Sequence, residues 1–221
     1  MRKITGTMID TETLALGPKA LIWEIACVPF EMQIHEDHVS WDTTGEPYHA
    51  MVDYTSTSTR NFDIDFGTIN WTSRQRINDA GWNYWREKHF NPGFDLKSLP
   101  SPGVPLMKPQ DILFNLSWKT KDAPVWFRNS AFDAPVIENL AALTERKMPW
   151  HRRQQSDLYT LVNAAGQLLG YEDNLPSSTG HRALEDALGQ IEQLADLSGM
   201  LYCGIPSTEI ARDQEAEASP V

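Results

Sequence analysis

Residues 4–30 read ITGTMIDTETLALGPKALIWEIACVPF, and the fold turns on how this stretch is parsed. Residues 4–9 form a short apolar run that suits a strand. It ends at Asp10-Thr11-Glu12. Residues 21–30 are apolar enough to be a second, buried strand. Residues 48–54, after a turn around Gly45, suit a third. Three consecutive strands with short connections predict an antiparallel meander. Side chains alternate along a strand, so Asp10 and Glu12 point the same way. Two carboxylates that close repel each other unless a cation lies between them. Hard divalent ions such as magnesium or manganese take oxygen ligands of this kind. The plainer reading of the same residues is an acidic turn at a strand end.

Working outward, residues 55–70 are rich in Ser, Thr, Asp and Asn and predict a loop. Residues 72–89 predict an aromatic helix with Trp82 and Trp85 on one face. Pro92, Pro100, Pro102, Pro105 and Pro109 mark residues 91–109 as irregular. A short amphipathic helix follows at 110–118 and a fourth strand at 123–128. Helices are expected at 133–146, where Val136, Ile137, Leu140 and Leu143 have helical spacing, and at 158–169. The last, at 181–197, carries an apolar stripe of Leu184, Ala187, Leu188, Ile191 and Ala195. The acidic tail from 207 is expected to be disordered. This order predicts an α/β domain over residues 1–205, with an insertion around 55–109 and a tail at 206–221. An antiparallel edge would continue into parallel strands flanked by helices.

Composition narrows the function. Two cysteines, Cys27 and Cys203, both in apolar surroundings, predict buried free thiols rather than a disulfide framework. No run approaches the roughly 20 apolar residues of a membrane span. The N-terminus leads straight into a strand, which leaves no room for a signal peptide. The expected location is the cytosol of a bacterium, or of a phage-infected host. A net charge of −11 argues against long electrostatic tracking along duplex DNA. It is compatible with a small footprint on a single-stranded end, where bound metal rather than lysine meets the phosphate.

Two further segments carry chemistry. In Asn129-Ser130-Ala131-Phe132-Asp133 a strand gives way to a helix, and Asp133 is a good N-cap with Pro135 in the first turn. In His181-Arg182-Ala183-Leu184-Glu185-Asp186, Asp186 lies off the centre of the apolar stripe and can face a cleft. His181 follows the flexible run Ser177-Ser178-Thr179-Gly180. Taken singly, these are an ordinary cap, a surface histidine and a solvated aspartate.

Asp-x-Glu on the first strand, Asn…Phe-Asp in the middle and His-x-Ala-x-x-Asp near the C-terminus resemble, in that order, the motifs of the DEDD-type exonucleases. The subgroup with histidine in the third motif is the one resembled. It includes RNase T, oligoribonuclease and the proofreading subunit of bacterial replicases. The resemblance spans about residues 4–197 and implies a ribonuclease H-like sheet. The segment at Trp82 and Trp85 and residues 151–161 resemble the exonuclease VIII and mycobacterial exoribonuclease branch.

The resemblance implies a 3′→5′ exonuclease that releases nucleoside 5′-monophosphates from single-stranded DNA or RNA. Asp10, Glu12, Asp133 and Asp186 would hold two divalent ions, Mg²⁺ or Mn²⁺, and His181 would be the general base. Thr13, Leu14 and Leu16 would lie beside the terminal nucleotide. Asn129 and Phe132 would approach the substrate, and Trp85 would stack on a base. Arg128, Arg152, Arg153 and Arg182 are candidate phosphate contacts, with solvated surface charge the plainer reading. A homodimer is expected from relatives. The competing readings are a proofreading or processing subunit working with a polymerase or recombination partner, a catalytically silent nucleic-acid-binding module, and a hydrolase of some other phosphodiester.

Overall fold

The computed structural model describes residues 2–13, 18, 20–53, 103–173 and 182–203. The helix expected at 72–89, most of the 55–109 insertion and the acidic tail lie outside these residues. The elements in chain order are β1 (Arg2–Thr13), β2 (Ile22–Ile34), β3 (Val39–Thr43), β4 (Tyr48–Val52) and β5 (Leu106–Met107). Next come α1 (Pro109–Lys119), β6 (Val125–Phe127), α2 (Ser130–Leu143), β7 (Gln155–Asp157), α3 (Leu158–Leu169) and α4 (Ala183–Cys203).

The strands form one seven-stranded mixed sheet in the order β5-β4-β2-β1-β6-β7, with β3 also paired to β2. β1 and β2 are antiparallel over most of their length, and β6 and β7 continue the sheet in parallel. The expected mixed α/β sheet is therefore present. β1 sits at its centre, so Thr7, Met8 and Ile9 are all buried instead of alternating with solvent. Gly6 admits no side chain: a Cβ there would fall 2.6 Å from the Trp126 ring.

Helices cover both faces. Ile9, Ile25 and Cys27 pack with Ile112 and Leu116 of α1 and with Val136, Ile137 and Leu140 of α2. Met8, Ala26, Val28 and Phe30 pack with Leu158 and Val162 of α3 and with Ala187, Ile191 and Leu194 of α4. Each fully buried large side chain contributes about 1.5–3 kcal/mol by leaving water. Among the described residues no helix is long and apolar enough to cross a membrane.

Several boundaries differ from the sequence reading. The strand read at 48–54 is present as β4, and a further strand, β3, precedes it where the sequence reading had none. β3 pairs with Phe30–Ile34 of β2, and β4 pairs with Glu24–Cys27 on the same side of β2. The break falls at Pro29, whose carbonyl accepts from Thr44 N at 3.0 Å and which has no N–H to continue the ladder on that side. β5 lies inside the segment read as irregular, and β7 is too short to show a pattern. α2 begins at Ser130, not Asp133, and α4 runs on to Cys203. Cys27 is a buried free thiol, pushed up to about 12 by burial, as expected. The Cys203 side chain lies outside the described residues.

Candidate active site

The end of β1 presents Asp10 and Glu12 on the α4 face of the sheet and Thr11 on the α2 face. This is the strand alternation read from the sequence. The first turn of α4 brings Asp186 to the same place. One oxygen from each of Asp10, Glu12 and Asp186 lies within 4.8 Å of the others. Burial is the main cause that pushes the Glu12 carboxyl up to about 10, and the charges of Asp10, Asp186 and Glu24 add to it. Asp10 is raised well above the usual carboxylate range, again first by burial and then by Asp133 and Asp186. Without a cation Asp10 and Glu12 resist ionising. A hard divalent cation removes that conflict, so the donor set fits one.

Asp133 approaches from the other face. α2 starts at Ser130 with Asn129 as N-cap, and Asp133 N donates to Asn129 O at 3.1 Å as a first-turn helical bond. The capping role considered for Asp133 is thus not the one it plays. Its side chain is buried, and the Thr11 hydroxyl donates to its Oδ1 at 2.5 Å. Burial raises its carboxyl to about 7, against the lowering effect of the Thr11 hydrogen bonds. The earlier helix start has a long-range cause. Ser130 N donates at 2.6 Å to Oδ2 of Asp157, which also caps α3 through Thr160 N.

Of the other candidates, Asn129 is exposed beside this site, while Phe132 is half-buried against the core beneath α2. Thr13 is buried at the end of β1. Leu14, Leu16, Trp85 and His181 lie outside the described residues. Arg128 pairs with Asp173 at 3.1 Å and Arg182 with Glu24 at 3.6 Å, so both guanidinium groups already face a carboxylate. Arg152 and Arg153 are exposed.

Two residues escaped the sequence reading. Gln190, one turn beyond Asp186 and buried, donates from Nε2 to Asp10 Oδ1 at 2.6 Å. Its signal was the i,i+4 spacing on the cleft side of the helix. Glu24 is fully buried and directly opposite Glu12 in the β1–β2 register. Its Oε1 lies 2.5 Å from His49 Nε2. A lone acid inside LIWEIACVPF was the available clue, because a buried charge needs a partner.

Solved structures that share this fold include two of one protein–DNA complex. The zinc-bound form of the E. coli ExoI–ssDNA complex matches with a TM-score of 0.58 at 14% identity, over 90% of this chain and 41% of that one. The metal-free form of the same complex matches with a TM-score of 0.55 at 14% identity, over 89% and 40%. This chain therefore spans well under half the length of those proteins. No curated protein sequence matches it. The family model of the 3′-5′ exoribonuclease Rv2179c-like domain matches residues 5–197. The chain belongs to the Rv2179c-like family of 3′-5′ exoribonuclease domains.

Proposed function

We propose that this chain is a 3′→5′ exonuclease, and so a phosphodiester hydrolase, that removes nucleoside 5′-monophosphates from the 3′ ends of single-stranded RNA, using two divalent cations, Mg²⁺ or Mn²⁺. The observation that carries the reading is the convergence of Asp10, Glu12 and Asp186 on one face, where burial and mutual repulsion hold the Asp10 and Glu12 carboxyls well above the usual range. The family description favours RNA. When bound, such ions supply electrostatic stabilisation of the charge that develops on the phosphate oxygens.

The chain's own residues divide the remaining work. Asp10, Glu12 and Asp186 hold the ions. Gln190 fixes one oxygen of Asp10 by its hydrogen bond, which leaves the other free as a donor. Thr11 orients Asp133, which assists from the α2 side. His181 takes a proton from the attacking water, a task suited to an imidazole near neutral pH. The high pKa values make the same prediction from the other side: cation binding must release protons, so it should tighten as pH rises.

The test is digestion of matched 5′-labelled RNA, DNA and duplex by the purified chain, with magnesium, manganese or chelator. Stepwise shortening of single-stranded RNA that stops in chelator is expected. Equal cutting in chelator would overturn the cation's role. Preference for the DNA strand would overturn the assignment of RNA.

A further inference from the structure

Among the described residues, Glu24 is the one buried carboxylate beside the cluster that the proposed function does not use. It stands opposite Glu12 on the neighbouring antiparallel strand, and the two side chains share a face. Like charges so placed repel, and a fully buried acid without counter-charge is costly. Each of its two oxygens faces a basic group. Oε1 meets His49 Nε2 of β4 at 2.5 Å, and Oε2 lies 3.6 Å from Arg182 Nη1. Arg182 in turn is tied to the metal site: its carbonyl accepts from Asp186 N at 2.8 Å, the first-turn bond of α4.

We propose that Glu24 is a positioning residue of the metal site, holding the first turn of α4, and with it Asp186, against the strand that carries Asp10 and Glu12. Sheet register places Glu24 in line with Glu12, and the ion pair transmits that placement to Arg182. One helical bond then passes it to Asp186. His49 completes the arrangement by occupying the other oxygen, so Glu24 is committed to cross-linking β2, β4 and α4 rather than to ligation. This inference rests on the metal-site reading above.

The experiment is calorimetric titration of manganese into the full chain, comparing wild type with Arg182→Gln, Glu24→Gln, the double variant and Arg182→Lys. Losing a group that orients metal ligands typically weakens metal binding roughly 10–100-fold. That loss is expected in each Gln variant, with the double variant no weaker than either single one. Arg182→Lys should recover part of it. Most of the lost hydrolytic rate should return at saturating manganese.

Wild-type affinity in Arg182→Gln would overturn the proposal, and so would losses that multiply in the double variant. Arg182 is partly exposed, with 34% of its side chain accessible, so its variants decide the matter even where Glu24→Gln does not fold. A wild-type chain that takes no manganese would overturn the metal reading, and this proposal with it. Manganese binding in wild type that Arg182→Gln leaves unchanged would overturn this proposal alone.

Discussion

The two faces of β1 treat buried carboxylates in opposite ways. On the α2 face, Asp133 is met by a hydroxyl from Thr11. On the α4 face, Asp10, Glu12 and Asp186 are gathered within 4.8 Å, where their charges oppose one another. One face eases its burden with a hydroxyl, though Asp133 still presses on Asp10, whereas the other has no such partner for Glu12 and Asp186 among the described residues. A single strand achieves both because Thr11 and its two acidic neighbours point in opposite directions. The contrast teaches where to look for function in a polar interior: at the groups whose conflict the fold does not settle.

The sharpest way to break the comparison is Asp10→Asn. The amide keeps an oxygen for Gln190 but removes a charge from the cluster. Hydrolysis should fall below detection, while the melting temperature in chelator should stay level or rise. Retained turnover with manganese would sink the role of Asp10.

His181→Ala should come next, with a rate loss of roughly 10²–10⁴-fold, the usual scale for a positioned acid–base group. Manganese binding should survive. The decline of the wild-type rate on the acid side should vanish from the mutant's pH profile. Near-normal turnover across the whole pH range would remove His181 from the mechanism.

The third test concerns pH without metal. Glu12 and Asp133 hold their protons up to about 10 and about 7 in the folded chain, but lose them at roughly 4 when unfolded. A group whose pKa is raised on folding stabilises the protein fully below the unfolded value. That contribution is lost as pH climbs through the folded value. The melting temperature in chelator should therefore fall from about pH 4 toward pH 10, and manganese should flatten the fall. Identical melts with and without manganese would count against the contrast between the faces.

The smallest expected effect belongs to the α2 face. Thr11→Val keeps the shape but leaves Asp133 without its hydroxyl partner, which should cost about 1–3 kcal/mol in denaturant unfolding. A loss confined to stability, with manganese affinity unchanged, would sharpen the distinction. A parallel loss of manganese affinity would blur it.

How much of this was legible in the sequence depends on range. The shared face of Asp10 and Glu12 follows from strand alternation, and α3 is framed by Asp157 at one end and Gly170 at the other. Gly170 adopts φ 74°, the left-handed conformation expected of a helix-ending glycine. Local chemistry sufficed there. β3 was missed because its neighbours on the chain give no sign that Pro29, across the sheet, interrupts the ladder. The start of α2 was misplaced because Asp157, 27 residues away, supplies the partner for Ser130 N. Gln190 and Glu24 acquire roles only when the fold sets them beside Asp10 and Glu12. Glu24 illustrates the limit well, since its isolation in an apolar run was visible but its two partners were not.

Asp157 has a consequence of a mechanical kind. One of its oxygens takes the first amide of α2 and the other the Thr160 amide and hydroxyl of α3. These helices lie on opposite faces of the sheet. A single carboxylate thus serves as a pivot through which two layers share one point of fixation, at the edge strand rather than in the core. Movement of α2, and with it Asp133, cannot proceed far without straining the start of α3. In amide-exchange terms, Ser130 and Thr160 should open as one event, although 30 residues of chain and the thickness of a sheet separate them.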